Sequence, residues 1–140
     1  MMESRKFNNK IVVRLDKGEE VIASLTEIVK QYDVKLGNVQ ALGATNHVKI
    51  GLFNIEEKKY YSRELDQDME ITSLIGNITR KDGEVYLHLH INVADGNQNV
   101  YGGHLNECVI SATCEMFIDV IDGEVDRVFD ENVGLNLFKF

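Results

Sequence analysis

Three of the four histidines in this 140-residue chain, His88, His90 and His104, fall within one seventeen-residue stretch. Around the first two, Val85, Leu87, Leu89, Ile91 and Val93 alternate with Tyr86, His88, His90 and Asn92. A period of two describes a β-strand with one apolar and one polar face. His88 and His90 therefore share the polar face, roughly 6–7 Å apart, as two ligands of one ion would be. Gly102 and Gly103 let the backbone bend and pass close to that strand, so His104 can supply a third nitrogen.

This set supports three chemistries. Three neutral imidazoles leave a coordination position open, as in zinc centres that hold water or a small ligand. The same rings with the Gly102 and Gly103 amides can donate hydrogen bonds to an anion or carboxylate. A polar strand face at an interface needs neither. Glu107 is a further ligand candidate, or an acceptor for an imidazole N–H. His47, beside Asn46 at a strand start, reads as a satisfied or solvent-facing side chain. Glu115 lies in the apolar run T-C-E-M-F and, if it faces inward, requires a partner such as Arg14.

Other chemistries lack their signatures. No Ser-His-Asp arrangement is readable. No glycine-rich loop leads into a lysine and a helix, so nucleotide phosphates have no cradle of that kind. Cys108 and Cys114 are six residues apart in one expected strand, about 20 Å and too far for a disulfide within it. They read as reduced, half-buried side chains.

The elements that must position the histidines follow from the same periodicities. Lys10–Leu15 reads as a strand, Asp16-Lys17-Gly18 as a turn, and Glu19 to about Tyr32 as the one long helix. Val39–Thr45 and His47–Phe53 read as consecutive strands broken near Gly43-Ala44. Further strands are expected at 58–65, 69–79, 85–93, 109–121 and 134–140. A β-α unit followed by many strands implies an α+β domain, one helix on a largely antiparallel sheet, spanning residues 1–140. With 44% hydrophobic and 27% charged residues, the composition is that of a globular domain and not of a disordered chain. No apolar run reaches the roughly 18 residues of a membrane helix. No apolar segment follows Met-Met-Glu-Ser-Arg-Lys, so a cytoplasmic location is expected.

The formal charge of −8 is unevenly spread. Residues 1–17 carry five basic and two acidic side chains, whereas residues 115–131 carry seven acidic ones against Arg127 alone. Arg80-Lys81 and Lys58-Lys59 are isolated pairs and not the clustered basic face that phosphate neutralisation requires.

Taken together, V-V-R-L-D-K-G-E-E-V-I, A-L-G-A with V-K-I-G-L-F, M-E-I-T-S-L-I-G-N-I, L-H-L-H-I, Y-G-G-H-L and A-T-C-E-M-F resemble a known family. The chain resembles, nearly end to end, the stand-alone prokaryotic form of the plants and prokaryotes conserved domain (PPC, or PCC). That resemblance implies a mixed sheet with few helices and a homotrimer. In plant relatives the domain follows an AT-hook that grips the DNA minor groove. No R-G-R-P hook is present here, so the resemblance does not carry DNA binding to the isolated chain. Members with the three-histidine pattern look able to hold a metal such as zinc near a subunit boundary, which carries over to His88, His90 and His104, with Glu107 a weaker candidate. The expected function is a homotrimeric module binding a metal or small ligand. The alternatives are a DNA-associated regulator and a zinc-dependent hydrolase or lyase.

Overall fold

The computed structural model describes residues 1–140. Two short strands, β1 (Glu3–Phe7) and β2 (Lys10–Asp16), form an N-terminal hairpin whose turn places Asn8 at φ 54°. β1 was not evident from sequence, because E-S-R-K-F is charged and mostly exposed, as suits a strand at the sheet edge.

Helix α1 spans Val21–Gln31. It starts two residues later than the periodicity implies, because Glu20 caps it. The Glu20 side chain accepts from the Ala23 amide at 2.7 Å and from the Cys108 amide at 3.1 Å. Glu19 accepts instead from the amides of Met2 and Asp16, tying the N-terminal hairpin to the turn before the helix. Val21, Ser24, Leu25, Ile28 and Val29 form the buried face of α1. Completely burying a side chain such as Leu25 or Ile28 contributes about 1.5–3 kcal/mol.

The remaining strands are β3 (Gly37–Asn54), β4 (Lys59–Leu65), β5 (Met69–Lys81), β6 (Glu84–Ala94), β7 (Val100–Val120), β8 (Asp126–Asp130) and β9 (Leu135–Lys139). Seven strands form one sheet in the order β1-β2-β7-β6-β5-β3-β4, and β7 also pairs with β3. The pairings β3–β5, β5–β6, β6–β7 and β7–β3 thus close a ring. Strands β8 and β9 form a separate hairpin. Every strand pairing is antiparallel, so the mixed sheet implied by the resemblance is not what forms. The α+β class with one short helix holds.

Two strand boundaries differ from the sequence reading for one reason. The break expected near Gly43-Ala44 is absent, and β3 runs continuously for 18 residues through irregularities between Ala41 and His47. β7 likewise starts at Val100 instead of Val109 and runs for 21 residues, straight through Gly102-Gly103. Glycine in a strand signals close approach of another backbone as readily as a bend. A Cβ at Gly43 would meet the Thr113 carbonyl at 2.3 Å, and one at Gly103 the Gly51 carbonyl at 2.7 Å.

One cluster of 25 buried residues fills the space between α1 and the inner strand faces. Cys108 and Cys114 belong to it, fully buried instead of half-buried, and burial pushes their thiols up to about 11 and about 12. Both lie in the core, outside the group formed by His88, His90 and His104. Glu115 faces outward, opposite Arg14 in register, while the Arg14 guanidinium pairs with Asp16 and Glu3. No helix is long and apolar enough to cross a membrane.

Candidate metal centre

The period-two pattern of β6 determines where its histidines go. Leu89, Ile91 and Val93 are buried in the core, so His88 and His90 lie on the outer face of the ring. His104 reaches the same face from β7, where it is the direct register partner of His90 on one side and of Gly51 on the other. The three rings lie 5.0 Å (His88–His90), 5.4 Å (His88–His104) and 5.7 Å (His90–His104) apart, centroid to centroid. One ring nitrogen from each lies within 4.8 Å of the other two. Tetrahedral zinc with Zn–N of about 2.0–2.1 Å needs nitrogens about 3.3 Å apart, against a spread of up to 4.8 Å here. The donor set fits zinc: three imidazoles, no competing lysine, and room for a fourth ligand.

The electrostatics favour the ligating protonation state. Burial, followed by the neighbouring imidazoles, lowers His88 below the ordinary histidine value, and Arg127 adds to the effect. Burial and then His90 lower His104. Neutral imidazole is the form that binds a metal. Tyr60 on β4 approaches His104 edge-on at 5.8 Å and hydrogen-bonds through its hydroxyl to Asn106.

Glycine admits the third ligand. A Cβ at Gly102 would lie 2.0 Å from Asn92 Oδ1 and 2.8 Å from the Ile91 carbonyl. With Gly103 against Gly51, the pair allows β7 to fit between β6 and β3. The close backbone approach expected at Gly102 and Gly103 is present, without the bend.

Glu107 is not part of this cluster. A register irregularity between Lys49 and Ile50 inserts an extra residue in β7 opposite β3, and Glu107 emerges beside His47, with Oε1 3.4 Å from Nε2. On its other side His47 Nδ1 contacts Asp66 at 2.5 Å. His47 therefore stands apart from the three-histidine cluster, as its sequence context implies.

The cluster opens into a cavity of about 740 Å³ between β3, β4, β6 and the β8–β9 hairpin. Its walls include residues that the sequence did not mark: Tyr60, Asn77, Tyr86, Arg127 and the apolar side chains Leu135, Leu137 and Phe138. Arg127 is 7% exposed. Its Nε donates to Thr79, Nη1 to the Asn136 carbonyl and Nη2 to Asn77 Oδ1, at 2.8, 2.9 and 2.8 Å. The guanidinium lies over the rings of Tyr86 (4.3 Å) and Phe138 (4.7 Å). Sequence showed only a lone base in an acidic stretch.

Comparison with known proteins bears on both fold and site. A candidate DNA-binding protein from Bacteroides thetaiotaomicron is 28% identical, with TM-score 0.97 over 100% of this chain and 98% of that one. A metal-containing protein from Archaeoglobus fulgidus is 33% identical, with TM-score 0.87 over 100% of this chain and 97% of that one. A plant- and prokaryote-conserved protein from Pyrococcus horikoshii is 26% identical, with TM-score 0.86 over 100% and 95%. No match was found among curated proteins. The sequence profile of the Plants and Prokaryotes Conserved (PCC) domain matches residues 2–122, and the chain belongs to that family.

Proposed function

We propose that this protein is a homotrimeric binding module that uses His88, His90 and His104 to hold a divalent metal, zinc by preference, at the floor of the cavity. The observation that carries the reading is the convergence of three ring nitrogens within 4.8 Å, drawn from two strands and with no carboxylate among them. A similar protein described as metal-containing adds support. When bound, zinc would offer an open Lewis-acid position to a ligand in the cavity. The chain's own residues place the rings on one face, Tyr60 packs edge-on against His104, and burial favours the neutral forms of His88 and His104. The hydrolase or lyase reading is weaker, since its base candidate, Glu107, is engaged with His47.

The trimer reading draws on the outer face beside the site. Ile75 is the register partner of His90, Gln40 that of Ile75, and Phe117 that of Gln40. Ile75 and Phe117 are more than half exposed, as is Leu42 nearby. An exposed apolar row on a sheet face marks an interaction surface. A second copy laid on this row would put the metal centre near the subunit boundary.

Calorimetric titration of zinc into chelator-treated protein tests the metal reading. The wild type should bind about one zinc per chain. His90→Ala should lose that signal with the fold unchanged, because its neighbours Leu89 and Ile91 still fill the core, and His47→Ala should retain it. No zinc signal in the wild type ends the proposal.

A second reading, DNA association, draws on the relative described as a candidate DNA-binding protein. The −8 charge opposes it for the isolated chain. With an AT-rich duplex at about 150 mM salt, binding no tighter than the non-specific range of about 10⁻⁴–10⁻⁶ M is expected. Nanomolar affinity would promote the DNA reading.

A further inference from the structure

Arg127 is a buried cation without a counter-charge. It takes part in no ion pair with any carboxylate of the chain. This is unexpected at its position, because residues 115–131 hold seven acidic side chains and Arg127 is the sole base. Asp126, its neighbour, accepts only the Arg127 backbone amide, while the side chain turns inward to line the cavity. A buried charge is costly unless paired. Here neutral acceptors take three of the five guanidinium N–H groups, and two remain.

The surroundings of the guanidinium fix its plane. It lies over both Tyr86 and Phe138, while Thr79, Asn77 and the Asn136 carbonyl accept one N–H each from Nε, Nη2 and Nη1. Asn77 is the cross-strand register partner of His88, so the cation sits one neighbour away from the histidine floor. A rigid, planar guanidinium with two free donors suits a carboxylate. Around it the cavity is largely apolar. Leu52, Leu135 and Phe138 line it, yet are 66%, 38% and 43% exposed. Apolar side chains left open around a buried cation fit a ligand with an anionic head and an apolar body.

We infer that the cavity binds a small organic carboxylate. Arg127 receives the carboxylate, and Leu52, Leu135 and Phe138 enclose the hydrocarbon part. The inference rests on the reading of this cavity as a ligand site and deepens it to one chemical class, but it needs no metal. The β8–β9 hairpin, which lies beyond the residues matched by the family profile, is then a specificity element clamped over the site.

The test uses the 140-residue chain, treated with chelator, so that failure of the metal reading and failure of this one are separable. The probes are 3-phenylpropionate, its neutral amide and acetate, titrated calorimetrically. The carboxylate should bind at least tenfold more tightly than the amide, a difference of about 1.4 kcal/mol. It should also bind at least tenfold more tightly than acetate, which lacks the apolar body. Arg127→Gln should abolish the preference for carboxylate over amide, and Arg127→Lys should restore it only in part, because lysine offers no planar fork. A folded Arg127→Gln that keeps the preference overturns the inference. Should that variant fail to fold, the wild-type comparison decides alone: equal affinity for carboxylate and amide, or no binding of either, overturns it. Zinc binding by the same preparation, measured separately, leaves this outcome unaffected.

Discussion

At the residue scale, the histidines separate into two chemical kinds by their neighbours. His88 and His104 are lowered, principally by burial, so protons compete with a metal for them at lower pH than for an ordinary histidine. His47 moves the other way. Its hydrogen bond to Asp66 raises it, with Glu107 and Glu64 assisting against partial burial. A raised folded value means that the charged form is preferred in the native state. The pair's contribution is therefore complete below the unfolded value of about 6.5 and fades as pH rises through the higher folded value. Because Asp66 is mostly exposed, it is worth roughly 0.2–1 kcal/mol. Urea midpoints measured at pH 5.5 and pH 8.5 should show this loss for the wild type and a smaller one for His47→Gln. An identical loss in both would assign it elsewhere.

At the element scale, the strands are pinned by places where two backbones leave no room for a side chain. Gly43 is the clearest case, with the Thr113 carbonyl at 2.3 Å and Cys114 Cα at 2.8 Å from a notional Cβ. Gly43→Ala should destabilise the fold by roughly 1–3 kcal/mol through overpacking. Gly96→Ala, where nothing lies within 4 Å, should leave the denaturation midpoint nearly unchanged. Equal effects would refute the seam argument. These glycines also show what sequence could convey about the site. The shared face of His88 and His90 was legible because parity is local to β6, and the one irregularity in its pairing with β5, at Ile71/Ser73, lies away from both. The full length of β7 was not, because Gly102 and Gly103 carry the same local signature for a bend as for close packing. The separation of Glu107 from the histidines depends on an irregularity in pairing with β3, which exists only between strands. Arg127 was invisible as a site residue because its partners Asn77 and Thr79 are about fifty residues earlier in the chain.

At the scale of the whole molecule, the outer face with Leu42, Ile75 and Phe117 is the surface that a trimer would bury, forming a closed three-fold assembly. Light scattering after size exclusion should give about three times the chain mass of 15.9 kDa. Phe117→Glu should shift it toward the monomer, since a buried unpaired charge opposes association. A monomeric wild type at micromolar concentration would refute the trimer.

The long final strand of the ring also constrains when this fold can exist. β7 is the partner of β2, β3 and β6, and the Lys10–Asp119 pair joins positions 109 residues apart. Contacts so distant must meet the entropy of loop closure before they return any stability, which places the chain among slow-folding topologies. During synthesis, β2 has only β1, and β3 only β4 and β5, as partners until residues 104–120 fill the second edge of each. The ring cannot close before β7 is made, and neither can the histidine cluster, whose third member lies on β7. Assembly of the histidine cluster therefore waits for β7, in the same event that shields the open edges of β2 and β3 from neighbouring chains.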